Sequence, residues 1–152
     1  MTSHVPVGRV AMSAGASGPT CLFGPLTRTH FVKYAGAAGD FNPLHHDDDV
    51  ARAAGMPQVF GMGMLTAGLL GMWLARWVGP TNIETFSVRF GGLVFPGDTL
   101  SLTGAVDTLS APEGPCIAHI TLAVRRAGDV ILRGTARARV IAQTNDPQTA
   151  AP

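Results

Sequence analysis

Within Gly39-Asp40-Phe41-Asn42-Pro43-Leu44-His45, three chemically able side chains, Asp40, Asn42 and His45, fall in six positions. Pro43 cannot continue a helix and biases Asn42 away from helical angles. Asp40 and His45 therefore leave a constrained loop, not a smooth helix face. Such a loop can aim a carboxylate and an imidazole at one small volume, the geometry that acid–base chemistry requires. On residue types alone a plainer reading stands beside this one: Asp40 as a helix-end residue and His45 as a loop histidine with its hydrogen bonds satisfied.

The elements flanking the loop have local signals. Thr27 is a good N-cap for a helix over 28–38, with Phe31 and Tyr34 three apart, and Gly39 ends it. Asp47 or Asp48 can cap a short helix running to Ala54, stopped by Gly55. The most apolar element spans 63–78. Its leucines, methionines and tryptophans leave almost no polar face, which predicts a helix buried all round; Gly68 and Gly71 suggest close approach of another backbone. The second half changes to a period of two: Phe86, Val88 and Phe90; Leu100, Leu102 and Val106; Ile120, Leu122 and Val124; then a strand from Val130 to about Ala142 with Arg133, Arg137 and Arg139 on its opposite face. Broken by turn residues, these runs read as an antiparallel meander. The fold class expected is α+β, a curved sheet wrapped around one buried helix.

The chain has 152 residues, enough for one domain with a real core. A single domain is expected over 20–142, with a flexible leader at 1–19 and a disordered tail at 143–152. Hydrophobic residues make up 46% and charged residues 14%, against about 25% charged in typical domains. So apolar a chain is expected to associate. A formal charge of +1 argues against bulk nucleic-acid binding. Cys21 and Cys116 form no paired motif and read as reduced residues of a cytosolic protein. The N-terminus lacks a signal-peptide pattern, and the apolar run at 63–74 is too short for a membrane span. A cytoplasmic location without membrane contact is expected.

Three ordered blocks carry a resemblance. Tyr34 through Gly39-Asp40-Phe41-Asn42-Pro43-Leu44-His45, then Gly63-Met64-Leu65-Thr66, then Phe95-Pro96-Gly97-Asp98 resemble the MaoC-like, R-specific enoyl-thioester hydratase and dehydratase family, which has the hot-dog fold. The resemblance covers roughly residues 20–142. One departure is clear: the family usually has His-Gly-Met-Leu at the helix start, and here Met62 takes the histidine's place. Trp77-Val78-Gly79 and the single-domain length resemble subunits of bacterial acyl-thioester dehydratases, some of which are heterodimers.

The resemblance implies reversible hydration of trans-2-enoyl thioesters to (3R)-3-hydroxyacyl thioesters. Asp40 and His45 would be the catalytic pair, with Asn42 orienting the water. Gly63 and Met64, at the helix start, would offer N–H groups to the thioester oxygen; the plainer reading of Gly63 is tight helix packing. No redox cofactor or metal is implied, since CoA or phosphopantetheine is part of the substrate. A homodimer, or a heterodimer with another hot-dog subunit, is expected. The alternatives are a hot-dog acyl-thioesterase or a subunit of a heteromeric dehydratase.

Other groups are weaker candidates. The run His45-His46-Asp47-Asp48-Asp49 is not expected to hold a metal, because adjacent residues rarely converge on one ion. His46 reads as a surface or supporting residue, and Asp47, Asp48 and Asp49 as a helix cap with solvated charges. Arg125, Arg126, Arg133, Arg137 and Arg139 could meet phosphates or an acidic carrier, but for most of them a solvated outer sheet face is the favoured reading. Met56, Phe60, Met64, Leu69 and Trp73 could line an acyl tunnel or plain core.

Overall fold

The structure is a computed structural model that describes residues 8–110 and 116–143. Its helices begin and end where short-range chemistry dictates. The Thr27 side chain accepts the His30 N–H, and the His30 ring accepts the Thr27 N–H at 3.0 Å, a reciprocal cap on α1 (Arg28–Ala38). Asp47 caps α2 (Asp48–Ala53), accepting the N–H groups of Asp49 and Val50. The long helix α3 (Gly63–Val78) ends at Gly79, with Pro80 just beyond.

Six strands follow the period-two segments: β1 (Val10–Met12), β2 (Cys21–Phe23), β3 (Ile83–Phe90), β4 (Leu100–Leu109), β5 (Ile117–Arg126) and β6 (Asp129–Ala142). They form one sheet in the order β1-β6-β5-β4-β2, with β3 also paired to β6. The expected meander holds for β4, β5 and β6, which are antiparallel neighbours. It fails at β3, which pairs with β6 rather than with β4. The register sets the inner face. Val106 lies opposite Ile120 and Ile120 opposite Ala136, all buried. Alternate residues Arg133, Arg137 and Arg139 are exposed on the outer face.

The inner face closes on α3, whose Leu70, Leu74 and Val78 are fully buried. Each such side chain contributes about 1.5–3 kcal/mol from burial. This curved antiparallel sheet around a central helix is the hot-dog arrangement. The helix is not buried all round, however. Gly63, Met64, Gly68 and Met72 share an exposed stripe beside Phe86 and Phe90 of β3, where Met64 is 58% and Phe90 48% exposed.

The expected leader divides. Residues 1–7 lie outside the described residues, as do 144–152 of the expected tail. From Gly8 onward the chain is packed in: β1 runs parallel to β6, and the Trp73 indole donates to the Pro19 carbonyl at 3.0 Å. Gly18 sits so close to the Trp73 ring that a Cβ there would lie 2.5 Å from it. No helix among the described residues is long and apolar enough to cross a membrane.

Candidate active site

Gly39 ends α1 in the left-handed conformation at φ 69°, which glycine adopts without steric cost. The Asp40 N–H still donates to the Ala35 carbonyl at 3.2 Å, so its carboxylate leaves directly from the helix end. Asn42 has the extended backbone expected before proline, at φ −58° and ψ 124°. Its Oδ1 accepts the Leu44 N–H at 3.1 Å and caps a single 3-10 turn, Pro43–His45. That turn brings the imidazole back toward the helix end, with His45 Nε2 3.8 Å from Asp40 Oδ2.

The other imidazole nitrogen is engaged. His45 Nδ1 lies 2.8 Å from the Phe60 carbonyl oxygen. A carbonyl can only accept, so Nδ1 carries the proton and the neutral ring presents a lone pair at Nε2. The Phe60 ring meets the imidazole edge to face at 5.1 Å. The His45 side chain is only 10% exposed, whereas Asp40 is 43% exposed. A buried, oriented nitrogen base thus faces a wet carboxylate, and both are acceptors. A water donating to each of them fits that spacing.

Phe31 and Val32 of α1, together with Phe41, His45 and Met62, line a hollow of about 320 Å³ with largely apolar walls. A larger hollow of about 400 Å³ lies at Ser17, Thr103 and Thr121, with Arg125 as its one ionisable lining residue; it contains no acid–base pair. Met62 links the hollow to α3, since it precedes the helix and offers it no side-chain cap. The first amides of a helix have no partner within it. Here those belong to Gly63 and Met64, both solvent-accessible. A Cβ at Gly63 would lie 3.2 Å from the Phe90 ring, so the packing reading of this glycine has direct support. Met64 is not among the residues that line the hollow.

The remaining sequence candidates separate. His46 Nε2 lies 3.2 Å from the Phe41 carbonyl and holds the loop to itself. Asp49 is solvated, at 96% exposed. Asp48 is more than a solvated charge, contrary to expectation: its side chain is 29% exposed but accepts the Val59 N–H at 3.0 Å and an Arg28 N–H at 2.7 Å. The Val59 N–H, and after it Arg28 and Arg52, hold its carboxyl below the ordinary value of 3.8. Among the described residues no group of three or more histidine, cysteine or acidic side chains is placed to hold a metal. Arg137 and Arg139 flank Glu84 at 3.4 and 3.1 Å, and Arg126 reaches Asp98 at 3.5 Å. The Phe60 carbonyl has no signal in the sequence, because a backbone oxygen is present at every residue.

A family model described as a MaoC like domain matches residues 20–110, a span that includes the loop, the hollow and the start of α3. The chain belongs to the MaoC-like family.

The MaoC-like chain is similar to the peroxisomal hydratase-dehydrogenase-epimerase of Saccharomyces cerevisiae, at 43% identity over 65 residues, 43% of this chain and 7% of that protein. It is 31% identical over 83 residues to the 3-oxo-4,17-pregnadiene-20-carboxyl-CoA hydratase beta subunit of Mycobacterium tuberculosis, covering 54% of this chain and 64% of that one. Among solved structures, a MaoC-like dehydratase superposes with a TM-score of 0.80 at 28% identity, over 88% of this chain and 43% of that chain. The matched part of the chain thus spans a small fraction of the yeast relative and under two thirds of the mycobacterial one.

Proposed function

We propose that this chain catalyses the reversible addition of water to trans-2-enoyl thioesters, giving (3R)-3-hydroxyacyl thioesters. The thioester would be carried on CoA or on a phosphopantetheine arm. The observation that carries the reading is the direction of the imidazole. With Nδ1–H given to Phe60, the Nε2 lone pair faces the Asp40 carboxylate at 3.8 Å. A water held between them is oriented and made basic at once.

In this reading the water oxygen attacks Cβ of the enoyl group while its proton passes to the Asp40 and His45 pair. Negative charge moves through Cα onto the thioester oxygen, which accepts N–H groups at the start of α3 from Gly63 and Met64. The pair then returns a proton to Cα, so one water adds across the double bond and nothing else is consumed. Dehydration is the same path reversed. Asn42 contributes chiefly by shaping the loop, with its NH₂ left free to touch the water. The R configuration is taken from the family whose loop this one resembles.

The exposed stripe on α3 and the open edge of β3 support a paired assembly of two hot-dog units, either two copies or one copy with a different subunit. The mycobacterial relative is described as a beta subunit, which favours keeping the second form in view.

Loss of crotonyl-CoA absorbance tests the activity. The wild type should consume it, and Asp40→Asn or His45→Gln should each slow it by about 10²–10⁴-fold. Equal rates in all three would sink the mechanism. Thiol release with the enoyl band intact would assign a thioesterase instead.

A further inference from the structure

The lone pair on His45 Nε2 exists only while the proton stays on Nδ1, and the Phe60 carbonyl keeps it there. Phe60 itself lies in a segment, residues 54–62, that is neither helix nor strand. No ladder of backbone bonds fixes its carbonyl. Two bonds hold the stretch, one from the Gly61 N–H in the carbonyl's own peptide unit and one from the Val59 N–H two units before it. Gly61 N–H donates to the Val94 carbonyl at 2.8 Å, and Val59 N–H donates to Asp48 Oδ1 at 3.0 Å. Val59 is fully buried, so its amide has no water to turn to.

The Asp48 carboxylate is itself clamped. Its second oxygen accepts Arg28 Nη2 at 2.7 Å, from the first turn of α1, and Arg52 Nη2 lies 3.9 Å away on α2. One carboxylate therefore joins α1, α2 and the segment whose carbonyl holds the imidazole. From this chain of contacts we propose that Asp48 is a positioning residue for His45, acting through the backbone of Val59 and Phe60. It touches no reacting atom. It anchors the backbone that leads into the Phe60 carbonyl, complementing the Gly61 bond to Val94, and so helps set which imidazole nitrogen is free. The inference rests on the reading of His45 as the acid–base group, but its central claim concerns the imidazole and can be read without any substrate.

The test compares Asp48→Ala with Asp48→Asn. Asparagine keeps an oxygen for the Val59 N–H, whereas alanine removes it. In ¹⁵N-histidine NMR of the full chain, the wild type and Asp48→Asn should show His45 with its proton on Nδ1. Asp48→Ala should show a mixture of the two tautomers. With crotonyl-CoA, Asp48→Ala should lower kcat by tenfold or more while KM stays within twofold, and Asp48→Asn should recover most of the rate. Asp48→Ser, which suits a helix's first turn but is one bond too short to hold Val59, gives the same comparison should the alanine variant not fold. A wild-type His45 tautomer in the variants that lack the Val59 acceptor would overturn the proposal and leave Asp48 as a fold anchor. If the wild type hydrates no enoyl thioester, the proposed activity fails, while the tautomer spectra still decide the role of Asp48.

Discussion

Asp40 and His45, the pair proposed to hold the attacking water, differ in their surroundings. Asp40 stands at a helix end in contact with water, and His45 is held by a carbonyl in a nearly dry pocket. Asp48, proposed to position His45, leaves a signature in acid. Its carboxyl titrates lower in the folded chain than the ordinary 3.8, chiefly through the Val59 N–H. The unfolded chain therefore binds the proton first as pH falls, and stability drops with it. Asp48 contributes fully above pH 3.8, and its contribution is lost as pH falls through the lower folded value. Melting temperatures from pH 6 down to pH 2.5 should show Asp48→Asn less stable than wild type at the upper end, with the two curves converging in acid. A constant gap across that range would show that the charge on Asp48 is not what stabilises the fold.

At the scale of elements, the helix ends depend on few atoms. Thr27 holds the start of α1 through its hydroxyl and through His30, and α1 carries both Arg28 and the hollow-lining Phe31. Thr27→Ala should cost about 1 kcal/mol, measured as a shift in urea midpoint at constant slope; an unchanged midpoint would mean the cap is replaced by water without loss. Such signals are short in range, which is why the bounds of α1 and α3, the stop at Gly39 and the loop between Asp40 and His45 could all be read from residue order. What could not be read was set by distant backbone. No local pattern says that β3 pairs with β6 instead of β4, that β1 lies parallel to β6, or that the Phe60 carbonyl meets His45. The apolar circumference of α3 likewise predicted full burial, because the sequence reports that a face is apolar without saying which molecule covers it.

For the whole molecule, that uncovered face is the decisive feature. Met64 and Met72 of α3 and Phe86 and Phe90 of β3 are all exposed, and they adjoin one another, since Phe90 packs at Gly63 and Phe86 at Gly71. Beside them β3 is bonded to β6 alone among the described strands, leaving its other edge open for most of its length. An exposed apolar strip next to an open strand edge invites association. The edge is long enough to pair with a like strand and continue the sheet, and the low charged fraction of 14% agrees with a surface meant to be covered. The same strip borders the α3 start proposed to bind the thioester oxygen, so a second subunit there would also keep water from it. Sedimentation velocity at micromolar concentration should give twice the chain mass for the wild type, and Phe86→Glu should move the population toward monomer and reduce hydration together. A wild-type monomer that hydrates crotonyl-CoA at its full rate would refute the paired assembly; a monomer that gains activity only with a second hot-dog subunit would assign the heteromeric form.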